Sequence, residues 1–94
     1  MLKNLFGSQV RVDLLAFFLT HPGEEFYVRQ LIKKLNANPR AVNRELINLH
    51  TIGLIRKRIS GKQHYFSINQ QNAIYRELRR LFIKILEIKE GYTM

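Results

Sequence analysis

One predicted helix carries arginine and asparagine side chains at a spacing suited to reading the edges of DNA bases. Arg40, Asn43 and Arg44 lie on one face near its start, opposite an apolar stripe of Val42, Leu46 and Leu49. Arginine pairs with O6 and N7 of guanine, and asparagine pairs with N6 and N7 of adenine. Two alternatives remain: Arg40 is a free surface base, and Arg44 forms an ion pair with a neighbouring acid. We predict base contacts for all three.

Positive charge is concentrated around this helix. The chain has 16 Lys and Arg against seven Asp and Glu, a net charge of +9. Residues 29–62 contain nine bases and one acid, Glu45, so this window holds +8 of that charge. Such a distribution predicts a polyanionic partner that meets one face of the protein. The alternative is a solvated basic surface that keeps the protein soluble.

The residues that usually carry catalysis or metal binding are sparse. The chain has three histidines and no cysteine, and His21, His50 and His64 fall in a turn, at a helix end and in a strand. None pairs with another His, Asp or Glu at metal-ligand spacing. Its glycines are scattered, so no loop cradles a phosphate group. We therefore predict no catalytic activity, no metal site and no cofactor.

A helix-turn-helix must position the base-reading side chains. Tyr27–Leu35 has apolar residues at helical spacing, and Asn36 tolerates the left-handed backbone that ends a helix. Asn38 can cap the next helix, and Pro39 suits its first position because proline has no N–H to leave unpaired. Two helices joined by so tight a turn predict a helix-turn-helix, with Asn38 and Pro39 at the end nearest the DNA.

A basic β-hairpin is predicted next. The segments LIRKRI and QHYFSI flank Ser60-Gly61-Lys62, with Gly61 as the turn residue. Phe66 and Ile68 suit the core, which leaves Tyr65 outward beside the bases. The face of the first strand stays open, because neither alternating set is purely apolar. The other predicted DNA contacts, from helices and hairpin together, are Arg29, Lys33, Arg56, Lys57, Arg58, Lys62 and Tyr65. The basic residues of the hairpin would contact phosphates or enter the minor groove, and Tyr65 either bonds a phosphate or packs across the strands.

Helices are predicted at both ends of this unit. Ser8 can cap a helix that runs to about Thr20, preceded by a small apolar cluster closed by Gly7. A long helix over about 72–90 has a heptad-like apolar seam, typical of a helix–helix interface. Two copies could pack through this seam; the alternative is that the helix folds back over its own domain. The predicted dimer contacts are Leu2, Leu5, Phe6, Leu78, Leu81, Phe82, Ile85 and Ile88.

From Leu14 to Asn69, over half of the chain, this succession of helix, turn, helix, "GLI" and basic hairpin resembles the winged helix-turn-helix transcription regulators of the ArsR and MarR type. The resemblance implies a mainly α fold with a small hairpin, in the order helix, short strand, two helices, two strands, helix. It implies that Phe26 and Tyr27 form the short strand. Many ArsR-type regulators carry a cysteine-containing metal motif, and its absence here puts metal-responsive derepression in doubt.

These observations predict one domain over residues 1–94, ending in a dimerisation helix. It would bind double-stranded DNA as a homodimer and regulate transcription. No apolar run approaches the ~20 residues that span a bilayer, and the lack of cysteine fits a reducing cytoplasm. Two other functions remain open: a module that recruits a nucleic-acid-modifying enzyme, and a binder of structured RNA.

Overall fold

Five helices and a three-stranded sheet form the protein, which is described here from a computed structural model. The structure describes residues 1–91 and the side chains of residues 1–86. The elements are α1 (Leu2–Phe6), α2 (Gln9–Leu19), β1 (Phe26–Tyr27), α3 (Val28–Leu35), α4 (Pro39–Thr51), β2 (Ile55–Ser60), β3 (Gln63–Ile68) and α5 (Tyr75–Gly91). The predicted α+β winged-helix class is confirmed. The predicted count of four helices is wrong, because the N-terminal apolar cluster forms α1.

Side-chain caps define the helix-turn-helix. The backbone N–H groups of Arg40 and Ala41 donate to Oδ1 of Asn38 at 2.9 and 3.2 Å, and Pro39 opens α4. Asn36 ends α3 in the left-handed region, with φ 48° and ψ 49°. Ser8 caps α2 by accepting from the Arg11 N–H. Each boundary follows from one residue whose side chain or backbone suits a helix end.

The sheet is antiparallel, with strand order β1-β3-β2. Phe26 pairs with Phe66, which confirms that the short strand joins the hairpin. At the other end Ser60 pairs with Gln63, so Gly61 and Lys62 form a two-residue turn. Gly61 has φ 60°, a conformation that glycine reaches without the strain that a Cβ would add. We refer to this β2–β3 hairpin as the wing.

The core lies where α2, α4 and the base of the sheet meet. Phe18, Leu46 and Ile55 are among its fully buried side chains, with Phe66 and Ile68 over them. The predicted inward stripe of α4 is confirmed, because Val42, Leu46 and Leu49 are all buried. No helix within residues 1–91 is both long enough and apolar enough to cross a bilayer.

One buried carboxylate ties α4 to the N-terminal helices. Glu45 is only 3% exposed, and Arg11 donates to it through Nε at 2.7 Å. The same guanidinium donates to the Phe6 carbonyl at 2.8 Å, so Arg11 joins α1, α2 and α4. A hydrogen bond to a charged group contributes about 1.5–3 kcal/mol, which fixes the inner face of α4 against the domain.

The last helix starts three residues later than the sequence pattern predicted. Asn72 lies in the turn before α5, where its amide donates to the Gly53 carbonyl at 2.9 Å. Its Oδ1 also accepts from the Ile74 N–H at 3.0 Å. Asn69 donates to the same Gly53 carbonyl at 2.9 Å. Asn72 is thus used to join the end of α4 to the start of α5.

Candidate nucleic-acid interface

The outer face of α4 carries the predicted base-reading residues together. Arg40, Asn43 and Arg44 are all exposed, as are Asn38 and Pro39 at the helix start. The Asn43 amide donates to the Pro39 carbonyl at 2.9 Å, which aligns the side chain along the helix and leaves its oxygen without a bond in the described structure. Five residues predicted from sequence therefore share one accessible surface at the start of α4.

Arg44 stays largely available for a ligand. Its Nε lies 3.9 Å from Glu45, too far for a hydrogen bond, and two thirds of its side chain is exposed. Glu45 is instead bonded to Arg11 from the buried side. Of the predicted alternative, an ion pair within the helix, the structure therefore has only a long contact between an exposed arginine and a buried carboxylate.

A cleft of about 300 Å³ separates α4 from the wing. Asn43, Ile47 and His50 line its helical side, and Lys57 and His64 line its sheet side. Ile47 is 66% exposed, although it is apolar, and sequence reasoning did not select it. Ile47 lies four residues after Asn43 and outside the buried stripe of α4, and this spacing could have placed it on the outer face. An apolar side chain here is suited to contact the methyl group of thymine.

The strand register resolves which face each wing residue occupies. Directly paired residues share a face, so Lys57, opposite Phe66, lies on the inner face towards α4. Arg56 and Arg58 lie opposite Ser67 and Tyr65 on the outer face. The four wing bases therefore do not act as one group. Lys57 faces the cleft, Lys62 lies at the turn, and the two arginines lie on the outer surface.

Both wing arginines are held by their own chain. Arg58 donates to both carboxylate oxygens of Glu25, at 2.8 and 2.9 Å, and its guanidinium lies 4.7 Å from the centre of the Tyr65 ring. Arg56 donates to Asn69 at 3.0 Å and also to Gln71. Glu25, an exposed loop residue, thus reaches the wing across β3. Tyr65 lies outward beside Arg58, as predicted.

The ion pair between Glu25 and Arg58 should make wing stability depend on pH. The hydrogen bonds from Arg58 hold the pKa of Glu25 below its ordinary value of 4.5. The pair's contribution is therefore present above the pKa of the unfolded chain and is lost as pH falls through the lower folded pKa. We expect an NMR titration of the Glu25 carboxyl to give a midpoint below 4.5. Arg58→Gln should return it to the ordinary range, whereas Glu24→Gln should leave it low; a midpoint unchanged by Arg58→Gln would contradict the assignment.

The bases of α3 approach the wing tip. Arg29 and Lys62 line a groove of about 620 Å³, with Tyr27, Ile32 and His64 between them. Arg29 also borders a second depression with Lys33. Tyr27 packs edge-on against Tyr65, with ring centroids 6.2 Å apart, which fixes one wall of the groove. The structure thus joins the predicted bases of α3 and of the wing tip in one basic surface.

Metal or cofactor binding finds no obvious site among these residues. His50 and His64 line the cleft between α4 and the wing, without a carboxylate beside them. Among the side chains that the structure describes, no three His, Asp or Glu residues are grouped so that they could hold a metal ion.

The predicted dimer contacts divide into two sets. Leu2, Leu78 and Phe82 are buried inside the protomer, where the Phe6 and Phe82 rings lie 5.6 Å apart, and Ile85 packs partly against them. Leu5 and Leu81, in contrast, are 64% and 38% exposed. Ile88 falls outside the described side chains. One side of the apolar seam of α5 therefore packs against its own domain, whereas Leu81, on the other side, is exposed to solvent.

Comparison with solved structures identifies the same fold in other proteins. MepR, a transcription regulator of the Staphylococcus aureus multidrug efflux pump MepA, matches 98% of this chain with 67% of its own, at a TM-score of 0.74 and 16% identity. A protein of Archaeoglobus fulgidus matches 96% of this chain with 98% of its own, at a TM-score of 0.73 and 12% identity. Reduced HlyU from Vibrio cholerae matches 95% with 84%, at a TM-score of 0.65 and 17% identity.

At these identities the similarity establishes the winged-helix fold. No protein-family model matches the chain, and no curated protein matches it significantly.

Proposed function

We propose that this protein is a transcription regulator of the ArsR/MarR type that binds specific sequences of duplex DNA as a homodimer, without catalytic activity. The observation that carries the proposal is the free outer face of α4. Arg40, Asn43 and Arg44 are exposed there at the start of the second helix of a helix-turn-helix, beside a basic wing. In this motif the start of the second helix enters the major groove.

The α4 side chains would divide the work of base recognition. Arg40 and Arg44 suit guanine, Asn43 suits adenine, and Ile47 suits the methyl group of thymine. Asn38 has a different task, because its oxygen is occupied by the Arg40 and Ala41 N–H groups. It would hold the helix start in shape, with Pro39, while the arginines approach the bases.

The wing would contact the sugar–phosphate backbone or the minor groove. Lys57 on the inner face, Lys62 at the turn, and Arg29 and Lys33 on α3 form the accessible cations of this surface. Arg56 and Arg58 would act mainly by stiffening the wing, since their guanidinium groups already bond to Asn69 and Glu25. Phosphate contacts of this kind fix position and orientation, and base contacts give the sequence preference.

A dimer would let two copies of α4 enter successive major grooves, about 34 Å apart. Among the described side chains, Leu5 of α1 and Leu81 of α5 are exposed apolar residues that would suit such an interface. Arg11 then gains a second role, because it joins α1 to α4 through the Phe6 carbonyl and Glu45. The interface would thereby fix the orientation of the recognition helix as well as its spacing. A regulator of this kind would act in the cytoplasm.

The similarity to MepR supports a regulatory function, because MepR is itself described as a transcription regulator. Its sequence differs from this chain at most positions, so the similarity gives no guide to the DNA sequence that this chain would bind. The DNA sequence would instead follow from the α4 residues of this chain.

Separate substitutions in α4 and at the wing tip test the division of labour. Asn43→Ala should weaken binding of the preferred duplex by about 1–3 kcal/mol and relax the preference at one base pair. Lys62→Ala should weaken binding to all sequences alike, because a phosphate contact carries no sequence information. Fluorescence anisotropy with single-base variants of the duplex measures both effects.

Asn4→Ala, which removes an exposed amide from α1, is the matched control and should change neither affinity nor preference. If Asn43→Ala keeps full discrimination against every single-base change, α4 is not the recognition helix.

A further inference from the structure

A second group of basic side chains lies on the first turns of α5. Arg76, Arg79 and Arg80 line a cleft of about 430 Å³ with Pro22, Gln70 and Tyr75. Gln70 follows the end of β3, whereas Lys62 directly precedes its start. Lys62 and Ile68 are six steps apart along the strand, about 20 Å at 3.3 Å per residue. The cleft therefore lies at the opposite end of the sheet from the wing tip.

The three arginines differ from the arginines that form short ion pairs elsewhere in the protein. Arg11 and Arg58 each donate to a glutamate, at 2.7 and 2.8 Å. Among the side chains of residues 1–86, Arg76, Arg79 and Arg80 form no ion pair with a carboxylate. No carboxylate of that part of the chain therefore lies within ion-pair distance of the three guanidinium groups.

Their spacing along α5 brings like charges together, with Glu77 as the one acid among them. Arg76 lies three residues from Arg79 and four from Arg80, and like charges at these spacings repel on a helix. Arg76 also lies in the first turn, where the helix dipole disfavours a cation and favours an anion. A bound anion would offset both effects.

We propose that this cleft binds a small ligand that carries a diphosphate group, such as a nucleoside diphosphate. Arginine forms bidentate hydrogen bonds with phosphate oxygens, so three guanidinium groups fit a multiply charged anion better than a single carboxylate. A cleft of about 430 Å³ is within the ordinary size range of small-ligand sites. Tyr75, half-buried beside Arg76, supplies an aromatic wall for the organic part of the ligand.

Calorimetric titration of the full chain with inorganic pyrophosphate tests this site. We expect saturable binding that Arg76→Gln/Arg80→Gln weakens by about tenfold or more, since two charge-assisted contacts are lost. The matched control is Arg40→Gln/Arg44→Gln, which removes the same charge from α4 and should weaken pyrophosphate binding by less than about threefold. Circular dichroism checks that both variants fold, and Arg76→Lys/Arg80→Lys, which keeps the charge but not the forked geometry, should bind weakly.

Three results would overturn the proposal. They are the absence of saturable pyrophosphate binding, an equal loss in both glutamine variants, and unchanged binding in the lysine variant. A parallel titration with duplex DNA shows whether the cleft serves a small ligand or the DNA backbone. The Arg76→Gln/Arg80→Gln variant should keep the duplex affinity of the unmodified protein. If it loses affinity as the α4 variant does, the cleft belongs to the nucleic-acid surface. The pyrophosphate titration requires no DNA, so this proposal and the proposed function can fail independently of each other.

Discussion

Raising the salt concentration from about 50 to 200 mM should weaken duplex binding by roughly 10³–10⁵. This follows if a dimer neutralises about 6–10 phosphates, because each neutralised phosphate releases condensed counterions. Per protomer, Arg29, Lys33, Lys57 and Lys62 are exposed on the surface that joins α3, α4 and the wing. Two copies supply the required number. The measurement is the slope of log K against log[salt] by fluorescence anisotropy.

The structure makes this prediction specific to individual basic side chains. Lys62→Gln should reduce the salt slope by about one unit for each phosphate contact that is lost. Arg58→Gln is the matched control on the same hairpin. It should reduce the slope far less, because Glu25 already neutralises the Arg58 guanidinium. A slope equivalent to one or two phosphates would contradict the polyanion-binding surface, and an equal effect of the two substitutions would contradict the division of the wing into contacting and bracing bases.

Disrupting the predicted dimer should reduce duplex affinity by about 10²–10⁴, since a linked pair of binding sites gains this much over one. Leu5→Glu combined with Leu81→Glu places charge on two exposed apolar positions, one on α1 and one on α5. The variant should stay folded, because neither side chain belongs to the buried core. Sedimentation of the DNA-free protein, together with anisotropy, measures both consequences.

Ile59→Glu serves as the control for assembly. Ile59 is exposed to a degree similar to Leu5, but it lies on the wing, so its substitution should leave the sedimentation coefficient of the dimer unchanged. An unmodified protein that sediments as a monomer at tens of micromolar would remove the dimer from the proposed function. Phe82→Glu would not be informative, because Phe82 is buried within the protomer and its substitution would unfold the domain.

The helix-turn-helix and the wing were predictable because their signals are local. Asn36, Asn38 and Pro39 each determine a helix end through their own backbone or side-chain chemistry. Gly61 determines the hairpin turn in the same way. These residues act within a few positions of the chain, so sequence spacing was enough to place both helices of the helix-turn-helix and the wing.

Contacts between distant segments were not predictable in this way. The ion pair between Glu25 and Arg58 spans 33 residues, and the pair between Arg11 and Glu45 spans 34. Neither pair can be recognised from the local spacing of residue types in the sequence. The seam of α5 was periodic, but periodicity cannot say whether a helix covers its own domain or a partner. Phe82 was therefore expected at an interface, although it packs against Phe6 in the same protomer.

Selection of bound sequences from a random duplex pool tests the central proposal most directly. We predict an enriched inverted repeat with half-sites about 10–10.5 base pairs apart, or a multiple of this, because each dimer presents two copies of α4. The same selection with Asn43→Ala should lose preference at the same position in each half-site. A pool that shows no enriched sequence after repeated rounds would contradict sequence-specific DNA binding by this protein.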